Sequence, residues 1–257
     1  MLISQITDLH VGQLLEAGGR TIDTLGGVTR AVAALNALSP RPEAVLVTGD
    51  LVAEERRDTY RAVAAALGDL AMPHYVVPGN HDDRALMREA FGAAGYLPRD
   101  GEFLHYTVED FALRLVALDT QDPGRDGGRL GPARLDWLEE RLAAAPERPT
   151  LIAMHHPPVT VGMPDFDAIG LTGREAFGEI VARHPQVLGI ACGHVHRDIV
   201  AAWCGALVAV TPGTGYQYAL RLPPERGFVK VPEPPAIRHF LWREDAGLVS
   251  HIGYVAG

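Results

Sequence analysis

Five short apolar runs in this chain each stop at a polar motif carrying Asp, Asn or His. Residues 2–7 run into Asp8-Leu9-His10, 44–47 into Gly49-Asp50, and 75–77 into Gly79-Asn80-His81-Asp82. Further on, 151–154 meets His155-His156-Pro157, and 187–191 meets Gly193-His194-Val195-His196. Between the runs, apolar residues recur at helical spacing, as in Leu25, Val28, Val32, Leu35 and Leu38, closed by Pro40 and Pro42. Strands alternating with helices predict an α/β fold. Loops leaving successive strand ends converge on one edge of such a sheet, where ligands bind. The pattern therefore predicts one polar site assembled from five distant segments.

The rest of the chain fits one domain over residues 1–257, long enough for a sizeable core and without internal repeats. Asp58 or Thr59 is placed to cap a helix reaching Leu70, and residues 130–142 predict another. Thr172 is placed to cap a third helix up to about His184. Residues 103–108 and 111–118 read as a hairpin turning at Glu109-Asp110; 199–210, 237–242 and 248–252 read as further strands. The Pro-rich stretch 222–235 predicts an extended surface loop. A net charge of -9 speaks against a nucleic-acid polymer as partner, which calls for a basic stripe. With only Cys192 and Cys204, no disulfide framework is implied, and a reducing cytoplasm is expected. Residues 1–8 lack a basic signal-peptide head, and no apolar run is long enough to span a bilayer, so no membrane partner is expected.

Each motif brings a donor suited to a cation. Asp8 and His10 stand two residues apart, so both side chains can turn to one side and grip one ion. A carboxylate with an imidazole suits Fe, Mn or Zn better than Ca. Asp50 can reach the same point from a neighbouring strand, with two oxygens to bridge two cations, and Gly49 leaves the backbone room to approach. Asn80 offers a neutral oxygen, which leaves a cation a stronger Lewis acid. Two adjacent imidazoles cannot both face one metal, so His155 is the expected inner donor and His156 an outer support or part of the substrate rim. His194 and His196 repeat the two-residue spacing, which sends both rings to one side. His81 is placed to protonate a departing oxygen or to stabilise phosphoryl charge, with Asp82 orienting its ring.

Taken singly, each motif has a plain alternative: a Gly-Asp turn, a solvated His pair, a polar loop. As an ordered set on five strand ends they do not. The candidate ligands of two divalent metal ions are therefore Asp8, His10, Asp50, Asn80, His155, His194 and His196. His81, Asn80 and Asp82 are the candidate catalytic residues, and His10, Asp50, Asn80, His81, His196 and His156 the candidate substrate contacts. Two such cations bring more positive charge than Asp8 and Asp50 remove, so the site stays attractive to an anion although the chain is acidic. The expected chemistry is metal-dependent hydrolysis of a small phosphate ester.

In this order the motifs resemble the calcineurin-like metallophosphoesterase superfamily. The strings Met154-His155-His156-Pro157-Pro158 and Cys192-Gly193-His194-Val195-His196-Arg197 are similar to its class III cyclic-nucleotide phosphodiesterase branch. The resemblance covers essentially the whole chain, including Thr211-Pro212-Gly213-Thr214 and Glu233-Pro234-Pro235. It implies a four-layer α/β/β/α sandwich of two mixed sheets. It implies Asp8, His10 and His196 around a first metal, Asn80, His155 and His194 around a second, Asp50 bridging them, and phosphate contacts from Asn80 and His81. The implied activity is phosphodiester hydrolysis, with a 3′,5′-cyclic nucleotide such as cAMP as leading substrate and a glycerophosphodiester or other small organic diester next. A homo-oligomer is also implied. Ala53 stands where branch members often carry Asp, three residues after the bridging one, which bears on substrate preference and not on the metal chemistry. A metal-retaining scaffold without catalysis is the remaining alternative, and the presence of Asn80, His81 and every candidate ligand speaks against it.

Overall fold

A computed structural model describes residues 1–12 and 15–255. In chain order the principal strands are β1 (Leu2–Ile6), β2 (Ala44–Thr48), β3 (His74–Val77), β4 (Tyr106–Val108), β5 (Arg114–Ala117) and β6 (Thr150–Ala153). They continue with β7 (Val187–Cys192), β8 (Ile199–Trp203), β9 (Ala206–Val210), β10 (Ala236–Arg243) and β11 (Gly247–Tyr254). The helices are α1 (Thr24–Ala37), α2 (Arg57–Gly68), α3 (Arg84–Phe91), α4 (Pro132–Ala143), α5 (Pro164–Ala168) and α6 (Arg174–Arg183).

Two mixed sheets result, in the orders β11-β10-β1-β2-β3 and β8-β9-β7-β6-β5-β4. Period-two alternation sets the layers. In the second sheet Leu115, Leu151 and Ala191 face the core shared with the first sheet, α1 and α2. Their neighbours Val116, Ile152 and Ile190 face α4 and α6 instead. That is the expected four-layer α/β/β/α sandwich. Just below the sheet edge, buried Gln5 of β1 ties the two sheets together. Its amide donates to Thr48 Oγ1 (2.6 Å) and to the Cys192 carbonyl (2.8 Å), and its oxygen accepts from Thr211 (2.7 Å).

Several local expectations differ in detail. Asp58 and Thr59 do not cap α2; Arg56 takes that position without a side-chain bond, and Asp58 lies in the first turn, where its charge suits the helix dipole. Thr172 does not cap α6 because it is held in a two-residue ladder with Arg129, so Gly173, in left-handed backbone at φ 88°, opens the helix. The hairpin forms with shorter strands, in the register Tyr106↔Ala117 to Val108↔Leu115. The Pro-rich loop is not wholly irregular: Lys230–Val231 pairs with Gln217–Tyr218. Among the described residues no helix is long and apolar enough to cross a membrane.

Candidate metal centre

The five strand ends do converge. Asp8 and His10 follow β1, Asp50 follows β2, Asn80 and His81 follow β3, His155 follows β6, and His194 and His196 follow β7. All lie at one edge of the sandwich and, except for half-buried Asn80 and exposed His81, are buried.

How the chain delivers them differs from strand alternation. Asp8, His10, Asp50, His194 and His196 all adopt left-handed backbone, with φ between 42° and 73°. Among the described residues Cys204 is the only other non-glycine residue to do so. Each such residue costs on the order of 1–3 kcal/mol, and this strain gathers at functional sites. It also corrects one expectation. His194 and His196 do not turn their rings the same way, because the left-handed turns separate them: His194 faces Asn80, whereas His196 faces Asp8 and His10. Glycines make the close approach possible. A Cβ on Gly49 would come within 2.5 Å of His155 Nδ1, and one on Gly193 within 2.7 Å of Asp8 Oδ2.

The donors form two sets that meet at Asp50. In one, His196 Nε2 is 3.3 Å from Asp8 Oδ1 and 3.1 Å from His10 Nε2. In the other, Asn80 Oδ1 is 3.2 Å from both His155 Nε2 and His194 Nδ1. Asp50 turns Oδ2 toward His10 (3.5 Å) and Oδ1 toward His155 (3.4 Å), one oxygen to each set. Donor atoms of Asp8, His10 and His196 lie within 4.8 Å of one another, as do those of Asp8, Asp50 and His155.

Backbone carbonyls fix which imidazole nitrogen faces inward. The His155 Nδ1–H donates to Thr48 (2.7 Å), the His194 Nε2–H to Ile169 (3.1 Å), and the His196 Nδ1–H to Tyr216 (2.9 Å). Each ring therefore turns its other nitrogen toward a centre that two carboxylates also address. Such a buried, acceptor-rich cluster requires positive charge within it. The acid–base behaviour agrees. Burial works to raise the Asp50 carboxyl, but His155 outweighs it and holds Asp50 well below the usual carboxylate range. Asp8 is likewise lowered, with His196 prevailing over burial. Burial alone would lower His155, yet Asp50 lifts it to about 9, whereas burial takes His10 down to about 3 and His194 to about 4. The donor set fits a pair of divalent cations with mixed nitrogen and oxygen ligands.

Two predicted site residues stand elsewhere. Asp82 does not orient the His81 ring. Its buried carboxylate turns inward, accepting from Gly79 N (2.9 Å), Leu51 N (3.1 Å) and the Tyr60 hydroxyl (3.0 Å), and so braces the loop that carries Asn80. His156 does not reach the substrate rim. It is fully buried, its Nδ1 accepting from Thr120 Oγ1 (2.8 Å) and its Nε2–H donating to the Asp126 carbonyl (3.1 Å). Its ring packs on His194 at 4.5 Å between centroids, which leaves it in the supporting role. His81 is at the mouth, its ring edge-on to His10 at 5.0 Å and its N–H donating to Asp50 Oδ1 (3.0 Å).

The centre opens into a cavity of about 230 Å³ whose lining adds Asp126, Phe166, Ile169, Tyr218 and Phe228 to the expected residues. Nothing in the motifs signalled these five. They come from segments outside the five strand ends, Phe166 from α5 and Tyr218 from the short ladder with Lys230–Val231, and no spacing in the sequence connects them.

Comparison with known proteins agrees with the geometry. The family model described as calcineurin-like phosphoesterase matches residues 1–198. A probable glycerophosphodiester phosphodiesterase GpdQ of Arcobacter nitrofigilis is 31% identical over 99% of this chain and 93% of its own length. A 3′,5′-cyclic adenosine monophosphate phosphodiesterase CpdA of Vibrio vulnificus is 35% identical over 83% of this chain and 76% of its own. A dimetal phosphatase from Danio rerio shares the fold, with a TM-score of 0.67 at 16% identity and 99% coverage of both chains.

Proposed function

The chain belongs to the calcineurin-like phosphoesterases, and on that premise we propose that it is a dinuclear-metal phosphodiesterase of small phosphodiesters. Cyclic nucleotides such as cAMP and glycerophosphodiesters are its two substrate classes, after relatives named for each. The observation that carries this function is the meeting of five strand-end motifs around one acceptor-rich centre. Asp8, His10 and His196 would hold one cation and Asn80, His155 and His194 the other, with Asp50, in contact with both His10 and His155, serving both sets. Fe, Mn and Zn all suit that donor set. The separate Cys192 (buried) and Cys204 (exposed), both free thiols, support a cytoplasmic location.

Bound there, two divalent cations supply Lewis acidity at the phosphoryl oxygens and lower the pKa of water to about 7. The chain does the rest. Asp8 and Asp50 stay ionised across the neutral range, since both carboxyls are held low. His155, His194 and His196 keep their lone pairs inward because carbonyls take the opposite N–H. Asn80 and His81 flank the phosphate, and His81, free at the mouth, passes a proton to the leaving oxygen.

Metal loading should be linked to pH. Without metal, His155 keeps its proton up to about 9, and a ligand imidazole must lose it. Apparent Mn²⁺ affinity should therefore rise with pH through the neutral range and level off above 9. Calorimetric titrations at pH 7 in buffers of different ionisation enthalpy should show protons released. No release would remove His155 from the ligand set.

The direct test of function is turnover. With Mn²⁺, the purified protein should hydrolyse bis(p-nitrophenyl) phosphate faster than p-nitrophenyl phosphate, and rates on cAMP and glycerophosphocholine should rank the two substrate classes. Absence of any diester hydrolysis with Mn²⁺, Zn²⁺, Fe²⁺ and Co²⁺ would leave a metal-holding scaffold instead.

A further inference from the structure

The mouth of the centre is lined asymmetrically. On one side Phe166, Tyr218 and Phe228 pack edge to face, with centroids 4.9 to 5.7 Å apart. This wall abuts the candidate ligands directly: Phe166 is 5.8 Å from the His194 ring, and Tyr218 is 5.1 Å from the His196 ring. Phe228 is nonetheless 49% exposed, so an apolar ring is held at the rim of a cavity that the candidate ligands make polar at its floor.

Asp126 lines the same cavity. Its backbone is fixed from beneath by the buried His156, through the bond to its carbonyl (3.1 Å). Its carboxylate is uncompensated: among the described residues it forms no ion pair, and the adjacent Arg125 is turned to Asp122 (3.6 Å). A free carboxylate at the mouth of a phosphate site repels an anionic substrate. It becomes an asset only if the substrate brings a positive charge to the same place. The aromatic rings lining the same cavity extend that preference to a cation with an apolar skin, because ring faces attract such ions and methyl groups cover them. The cavity of about 230 Å³ lies below the ~300–1,000 Å³ of sites for larger ligands, which suits a small amino alcohol better than a purine nucleoside.

We propose that Asp126 and the Phe166–Tyr218–Phe228 wall form a cation subsite that selects zwitterionic phosphodiesters, one of whose esterified alcohols carries a trimethylammonium or related ammonium group. This selectivity rests on the phosphodiesterase function proposed above and names its substrate class. Asp126 sets specificity from the rim and takes no part in bond cleavage.

The test compares glycerophosphocholine with its uncharged isostere, the 3,3-dimethylbutyl ester of glycerol phosphate, in the Mn²⁺-loaded protein. The choline ester should be preferred in kcat/KM by about three- to thirtyfold, mainly through KM, as an exposed cation–ring contact and an exposed ion pair together imply. Asp126→Asn should bring that ratio to within about threefold of unity, and Asp126→Glu should restore most of it. Calorimetric binding of choline against 3,3-dimethylbutanol gives the same comparison without turnover, so the subsite is tested even if the chain hydrolyses nothing. Phosphatidylcholine vesicles form a further arm. Release from glycerophosphocholine but not from vesicles assigns a soluble substrate, and release from vesicles assigns a lipid headgroup. Equal handling of the two esters by the unaltered protein, or an unchanged ratio in Asp126→Asn, overturns the proposal. If bis(p-nitrophenyl) phosphate is turned over while the ester ratio is unity, this inference fails and the phosphodiesterase function stands.

Discussion

Asp50→Asn is expected to lower diester turnover by at least about 10³-fold and to leave the fold intact. Loss of a group that only supports a metal ligand costs about 10–100-fold in metal affinity, and Asp50 is placed to serve both cations directly, with one oxygen toward each donor set. Asparagine keeps the shape of the side chain and one oxygen to accept from the His81 N–H, a bond of 3.0 Å in the native protein. It removes the charge that draws the cations together and the second acceptor oxygen. Elemental analysis should find metal content falling from two ions per chain to one or fewer, while circular dichroism and the melting transition show a folded protein. Two metals retained with undiminished turnover would mean that Asp50 bridges nothing, and the two-set arrangement would have to be abandoned.

The chemical types in the site were legible in the sequence because five successive apolar runs each ended on Asp, Asn or His, a set that single turns or solvated histidines do not produce together. The alternation of strands with helices was legible in apolar runs such as 44–47 and 151–154, whereas the four-layer sandwich was implied by the family resemblance: these runs are apolar throughout, and nothing in them marks that Ile152 faces the helices and Leu151 the facing sheet. What fixes the ligands was hidden. The carbonyls of Thr48, Ile169 and Tyr216 that lock the imidazoles are main-chain atoms, and every residue has one. Left-handed turns at Asp8, His10, Asp50, His194 and His196 leave no mark in residue type either, since Asp and His tolerate that region without announcing it. For that reason the two-residue spacing misdirected His194 and His196. Asp82 was misassigned because adjacency in sequence suggested adjacency of side chains, whereas a turn sends His81 outward and Asp82 into the core. The aromatic wall was invisible because residues 166, 218 and 228 share no motif.

His81→Ala should separate the chemistry of the leaving group from everything else in the site. The ring is exposed, and the backbone N–H that touches Asp50 survives the substitution, so metal content and stability should be unchanged. For a diester with an alkyl leaving group, removing a positioned acid should cost about 10²–10⁴ in rate. For bis(p-nitrophenyl) phosphate the penalty should be far smaller, because p-nitrophenolate departs without a proton. The difference between the two losses is the informative quantity, since it separates two roles of one imidazole. A large loss confined to alkyl esters assigns proton transfer. An equal loss on both assigns stabilisation of charge on the phosphoryl group, which every substrate shares, because the ring would then act at the phosphorus end and not at the departing oxygen. Native turnover of both would remove His81 from catalysis, and the exposed ring at the mouth would be left with substrate contact alone.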